Sequence, residues 1–482
     1  MSSLNHESRT IRAPHRADRR VPPPLSQPAR NADSGPQRSV NVSRMQATSL
    51  ALDHLLRAAG DPIADLCDIG PGHPEFIRAQ TIRAAAGVLA KVPDTFPVIA
   101  KAIRANDALP ISPRTRSHFA AAEAWLSGNP TLAAETYAFV LSRWPRDLLA
   151  LRLAQSSYFF LGQHDRLCAV VDSVMRAWAH DQDGFEFVLA TASFAHAENG
   201  DAAYAEALGR EALARDPACP FGVHAVAHAI AESGRHGEGA RWMREQSAQW
   251  ARESRMRTHN AWHLAMFDAE EGNIDSALGI FDKCLLPAST ESLLDACDAA
   301  GLLWRLTTEG VDDKGRWCDV SDAFEGRMTP GFWPYIDLHA ALAHLIAGKQ
   351  MRVQRLMQAI KRCAHGSDYA ALRARHVTEP GLQALTAWAE GRYDEADRLL
   401  AGLQPFLGDA GGSRIQLEIF KSLALEAVHR RGAAVQPSST SERATPFVGG
   451  KLIENAVHES RKCPVTKPRY ATALAVSTET TQ

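Results

Sequence analysis

Glycines able to end one helix and turn the chain back recur at a nearly fixed interval along the middle of this 482-residue sequence. Gly128, Gly162, Gly200, Gly234, Gly272, Gly310 and Gly348 are separated by 34, 38, 34, 38, 38 and 38 residues, and Gly391-Arg392-Tyr393 opens a last unit. Each glycine lies between two amphipathic segments, where a residue that tolerates φ > 0 closes a helix at no steric cost. A unit of this length is one antiparallel pair of helices, which cannot bury its apolar face alone and must stack on its neighbours. The period therefore predicts an all-α chain, an α-solenoid of about eight or nine stacked antiparallel helix pairs between residues 46 and 430.

The residues around the glycines agree with close helix packing. Ala121, Ala133, Tyr137 and Pro145 surround Gly128; Ser193, Ala205, Ala212 and Pro217 repeat the pattern around Gly200, and Ala265, Ala277 and Phe281 repeat it around Gly272. Small residues let two helices approach, an aromatic ring fills the gap to the next pair, and proline stops the second helix. Aromatics make up only 7% of the chain, which argues against a large sheet domain. Outside the array the pattern lapses. Residues 1–45 are Arg- and Pro-rich and read as a disordered basic tail, with Met45 as the favoured translation start. Residues 431–482, rich in Ser, Thr, Pro and Gly, read as a second disordered tail.

The stretches His224-Ala225-Val226-Ala227-His228-Ala229-Ile230-Ala231-Glu232, His259-Asn260-Ala261-Trp262-His263-Leu264-Ala265, Asp337-Leu338-His339 and Gly411-Gly412-Ser413 narrow the comparison. On these residues the chain resembles the tetratricopeptide repeat protein 38 family over about residues 46–430. The resemblance implies a single solenoid of atypical repeats and brings no settled activity with it.

Histidine is the unusual residue in the composition, with 19 copies. In a stack of helix pairs the first helix of each pair lines the concave face. His224 and His228 fall ten and six residues before Gly234, and His259 and His263 thirteen and nine before Gly272. Each pair is spaced i, i+4, which puts both rings on one helical face. Adjacent first helices pack at about 8–10 Å, so the four rings can share a centre. Neutral imidazoles so placed admit a divalent metal, with Glu232 as a ligand or base. The same residues, with Trp304 and His339, read equally as the lining of a ligand groove, or as histidines that only pack and hydrogen-bond. A zinc-protease helix would place Glu directly after the first His, whereas Ala225 and Asn260 stand there. Arg305 is a candidate carboxylate anchor or a partner for Asp298; His196 sits where a helix C-terminus favours imidazolium.

The remaining signals restrict function. Eight cysteines stand singly, as in a reduced cytoplasmic protein, and no run of about 18 apolar residues is present to span a bilayer. Lys+Arg 53 against Asp+Glu 55 gives a formal charge of -2, from which neither nucleic acid nor a membrane surface is expected as a partner. Phosphate-loop, nucleophile-elbow and dinucleotide-binding motifs are missing. The reading is a tetratricopeptide-like scaffold, rather than a catalyst, that binds a peptide, protein or small ligand in its concave groove. The alternative is a metal-dependent or acid/base enzyme built on His224, His228, His259 and His263.

Overall fold

The computed structural model describes residues 47–180, 182–252 and 254–430. After a first helix, α1 (Ala47–Arg57), the chain forms pairs: α2 (Phe76–Ala90) with α3 (Phe96–Arg104), α4 (Pro113–Leu126) with α5 (Pro130–Arg143), and α6 (Leu148–Leu161) with α7 (His164–Met175). The series continues with α8 (Phe185–Glu198) and α9 (Ala202–Arg215), then α10 (Pro220–Glu232) and α11 (His236–Glu245). α12 (Met256–Glu270) pairs with α13 (Ile274–Ile280), α14 (Leu293–Thr308) with α15 (Lys314–Phe324), and α16 (Pro334–Ile346) with α17 (Gln350–Ala364). The last pair is α18 (Glu379–Ala389) with α19 (Tyr393–Leu403), and a final helix, α20 (Arg414–Arg430), follows a 3-10 segment, Gln404–Ala410. There is no strand among the described residues. The fold is the all-helical solenoid that the glycine period predicts.

Local chemistry sets the helix ends. Ser112, Asn129 and Asp147 accept hydrogen bonds from the backbone N–H three residues on, and Pro113 and Pro130 occupy first helical positions where no donor is lost. All eight periodic glycines have positive φ, from 66° to 92°, which makes each the left-handed residue that closes a first helix. Ala121, Ala133, Ala205, Ala265 and Ala277 are fully buried, and Tyr137, on the same pair as Ala121 and Ala133, is buried with them. The basic tail at 1–45, the start at Met45 and the tail at 431–482 lie outside the described residues.

One feature departs from an open array. The segment from Gln404 to Ala427 folds back across the first helices. Arg373 donates to the carbonyls of Asp409, Ala410 and Phe160 at 2.8–3.1 Å, and the Gly412 N–H donates to Phe159 O at 3.1 Å. At Gly162 the Gly408 carbonyl passes so close that a Cβ would sit 1.8 Å from its oxygen, so this turn needs glycine for the crossing as well as for its φ of 69°. Further along, the Arg414 N–H donates to Glu198 (2.7 Å), Gln416 donates to Asp298 (3.0 Å), and Trp304 donates to Ser422 (3.1 Å). The face expected to be an open groove is covered by the chain's own residues 404–427.

Candidate metal centre

α10 and α12 are adjacent first helices, and their i, i+4 histidines meet. The ring centroids of His224, His228, His259 and His263 lie 4.4–5.2 Å apart along all five pairings between them that are in ring contact. One nitrogen from each ring falls within 4.8 Å of all the others. The cluster is geometrically compatible with a divalent metal site.

The orientation of the rings is set from outside the cluster. His259 Nδ1 lies 2.6 Å from Asp298 Oδ2 on α14, and His228 Nδ1 lies 2.9 Å from Glu198 Oε1 on α8. An ionised carboxylate only accepts, so His259 Nδ1 carries the proton and its Nε2 turns a lone pair inward; the His228–Glu198 approach is an ion-pair contact outside hydrogen-bond alignment, and it sets the carboxylate on the Nδ1 side of the ring with Nε2 facing the cluster. Those Nε2 atoms are 2.9 and 3.1 Å from His224 Nε2, which has at most one proton to offer them. The fourth ring leaves His263 Nε2 buried without a hydrogen-bond partner. Nitrogens bound to one ion at roughly 2.0–2.1 Å adopt separations of this size. Converging lone pairs held by carboxylate-bound imidazoles are the donor set of a Zn, Ni or Fe site rather than of Mg or Ca.

Electrostatics point the same way. Burial and the neighbouring His228, His259 and His263 rings hold His224 well below the ordinary imidazole value; burial with His228 and His259 does the same to His263. Burial also lowers His228 despite Glu198. His259 is the exception, since Asp298 outweighs the effect of burial and raises it. Glu198 remains ionised: burial opposes this, but His164, His228 and the Arg414 N–H pull its value below the usual one. Two almost fully buried carboxylates thus flank a mainly neutral set of imidazoles, and a divalent cation would balance them. Phe194 stacks on His224 (5.4 Å, 24°) and Trp262 on His259 (5.2 Å, 15°), walling the rings from solvent.

The other residues expected in the groove are not brought to this point. Glu232 pairs with Arg414 at 3.3 Å, and its carboxyl is pushed up to about 7 by burial; the acid at His228 is Glu198, from the neighbouring pair. His339 donates Nδ1 to Tyr335 O at 2.7 Å on α16, beneath Phe420, and Trp304 packs against Trp388 and α20. Both are core residues because the covering segment closes the face they were expected to line. Arg305 pairs with Glu270 and Glu309, leaving Asp298 to His259. His196 pairs with Asp172 at 3.0 Å, so a helix terminus is not its only partner; Cys168 beside it has its thiol pushed up to about 11 by burial, a poor ligand state.

Glu198 and Gln416 were missed by the sequence reasoning, and Asp298 was read there only as a candidate partner of Arg305. For Glu198 a signal existed: it stands two residues before Gly200, the same offset as Glu232 before Gly234. Nothing local marks Gln416, which arrives from 118 residues beyond Asp298.

Asp298→Asn tests the orienting role. The amide has one acceptor where the carboxylate has two, so it cannot serve both the His259 N–H and the Gln416 amide. A fall in metal affinity of roughly 10–100-fold is expected, measured by competition with a chromophoric chelator at unchanged helical content.

No family model matches the chain. Solved structures similar to it are helical-repeat proteins. A tetratricopeptide repeat protein from Parabacteroides merdae is 12% identical, with 62% of this chain and 99% of that one covered and a TM-score of 0.37. The human IFIT1 dimer with PPP-AAAA is 13% identical, covering 89% and 95%, with a TM-score of 0.40. The pentatricopeptide repeat protein PPR10, in complex with an 18-nt PSAJ RNA element, is 15% identical, covering 92% and 72%, with a TM-score of 0.22. The chain has a generic tetratricopeptide- or pentatricopeptide-like repeat fold. The exclusion of nucleic acid as a partner is corrected by these findings: of the helical-repeat chains similar to this one, IFIT1 is seen with PPP-AAAA and PPR10 with an RNA element, and a net charge summed over 482 residues says nothing of local fields. No described helix is long and apolar enough to cross a membrane.

Proposed function

We propose that this chain is a metal-dependent protein of the tetratricopeptide repeat protein 38 type, in which the four-histidine centre binds a divalent first-row transition ion and carries the activity. The observation that carries the reading is the inward convergence of Nε2 atoms from His228 and His259, each ring fixed by a buried carboxylate, on His224 and the unpartnered His263 Nε2. A bound ion of this kind supplies Lewis acidity and a water of lowered pKa. The chain supplies the orientation, through Asp298 and Glu198, and the exclusion of water, through Phe194, Trp262 and α20. Support for a purely scaffolding role is weaker at this place, because the face that would hold a peptide is occupied by residues 404–427.

Elemental analysis of protein purified without a histidine tag tests the reading. About one transition metal per chain is expected; less than about a tenth, together with a thermal midpoint that does not respond to added Zn, Ni or Fe, would sink it.

A further inference from the structure

A second group of metal-ligating side chains shares no residue with the four-histidine centre. Cys168 and Asp172 stand i, i+4 on α7, so one turn of helix puts both on the same face. His196, in the last turn of α8, reaches that face from the neighbouring pair. Its Nε2 lies 3.0 Å from Asp172 Oδ1 and 3.7 Å from Cys168 Sγ, with Nδ1 3.5 Å from the same sulfur. One atom from each of the three side chains falls within 4.8 Å of the other two. Zinc bonds of about 2.3 Å to sulfur and 2.0–2.2 Å to nitrogen and oxygen place tetrahedral ligand atoms about 3.3–3.6 Å apart. The observed 3.0 and 3.7 Å bracket that spacing, so a shift of a few tenths of an ångström seats all three on one ion.

The surroundings hold the group in place and favour a cation. The Tyr204 ring meets the His196 ring edge-on at 4.7 Å. Cys168 is 7% exposed, while the side chains of His196 and Asp172 are 12% and 48% exposed, so the sulfur forms the floor of the group and the carboxylate its rim. Burial, Asp172, Asp201 and Asp165 together push the thiol up to about 11. A cysteine nucleophile needs the opposite field, one that lowers the thiol. Three carboxylates around a sulfur and an imidazole oppose a bare thiolate and attract a divalent ion.

We propose that Cys168, Asp172 and His196 form a second metal site, which binds a zinc-class divalent ion through Sγ, Oδ1 and Nε2 and leaves the remaining position to water on the solvent side. Thiolate, imidazole and carboxylate together are a donor set for zinc rather than for magnesium or calcium. The thiol is a poor ligand until it gives up its proton. Binding therefore breaks the S–H bond, forms the sulfur–metal bond and releases that proton to solvent, while the Nε2 proton of His196 moves to Nδ1. This cost makes the site the weaker of the two. It fills at metal concentrations above those that saturate the four-histidine centre, and it is empty in purified protein. The proposal does not depend on the metal-dependent reading of that centre.

Cadmium is the probe, because an ultraviolet sulfur-to-metal charge-transfer band reports a thiolate ligand, which four imidazoles cannot supply. Titration of the reduced, chelator-stripped protein is expected to show this band in a second step, after the four-histidine centre has filled. Cys168→Ser should abolish the band. Asp172→Asn and His196→Gln should each weaken the second step at least tenfold, with helical content unchanged; Asp172 is half exposed, so its variant tests the ligand without a cost to the core. A band absent from the parent overturns the site, and so does one that survives Cys168→Ser, since its sulfur then belongs to another cysteine. His228→Ala combined with His263→Ala separates the two centres: the band should persist there, and its loss would overturn an independent site. A Cys168-dependent band with no earlier step leaves this site standing and removes the four-histidine reading. An earlier step with no band does the reverse.

Discussion

Replacing His228 and His263 together by alanine is expected to empty the centre, from about one metal per chain to below about a tenth. The pair takes one ligand from each of α10 and α12, so neither helix retains an i, i+4 chelate. His224 and His259 remain, but the His228 contact that fixes His224 is gone, and Glu198 loses the ring it orients. Thermal melts give a second readout. The stripped parent should gain stability on adding metal, roughly 4 kcal/mol at a thousandfold excess over Kd, and the double variant should gain none. Retention of stoichiometric metal by the double variant, with helical content intact, would show that the ion resides elsewhere.

Between pH 6.5 and 5 the buried His339 and His344 are expected to draw stability from the metal-free protein, against Glu232, Asp295 and Asp337, whose carboxyls burial pushes up to about 7, about 7 and about 8 and which add stability over the same interval. His339 and His344 are almost fully buried, at 1% and 3% exposure. Burial pushes His339 down to about 4, and burial with Arg352 and Arg355 pushes His344 down to about 4. His339 gives its one proton to Tyr335 O, and His344 Nδ1 meets the Ser321 hydroxyl at 2.8 Å, so neither ring gains an acid by protonation. Both folded-state values lie below the unfolded one near 6.5. The unfolded chain therefore binds protons that the folded chain refuses, and stability that is complete above about pH 6.5 drains away as the pH falls toward 4. Each group costs about 1.4 kcal/mol per pH unit in that window, so the two together remove roughly 4 kcal/mol by pH 5. His224 and His263 are lowered in the same direction and add to the loss, unless a bound metal holds them deprotonated. Urea midpoints at pH 7.5 and pH 5 measure this. Relative to the parent, His339→Gln and His344→Gln should each gain about 2 kcal/mol between pH 7.5 and pH 5, and variants whose midpoints follow the parent's over the interval would contradict the burial argument.

The legibility of the centre followed the range of the interactions. His224 and His228, like His259 and His263, are related by one helical turn, and the two helices by one repeat, so spacing alone brought the rings to a common face. Glu232 was misjudged because sequence spacing sees only the residue's own helix, where it stands one turn after His228. In the folded chain Arg414 draws it aside, and Glu198, one repeat earlier, reaches the ring instead. Trp304 and His339 have the offsets of groove residues yet are buried, since the offset fixes the face and not what covers it. Asp298 was visible as an acid on a first helix, but its choice between Arg305 and His259 depended on side-chain reach across two helices.

What the sequence determined by itself was the repeat: where each helix pair turns, which small residues face each other, and that four histidines share one side of two neighbouring helices. These follow from backbone conformation and helical period, which act over a few residues and recur in every unit. Only the tertiary structure decided that residues 404–427 return over the first helices and close the groove, and that Asp298, Glu198 and Gln416 turn the rings inward. The contacts of Arg414 with Glu198 and of Gln416 with Asp298 join residues more than a hundred positions apart without any shared period, while those of Asp298 with His259 and Glu198 with His228 cross to the neighbouring repeat and depend on side-chain reach; all of them give partners to buried carboxylates and imidazoles that their own helices did not supply.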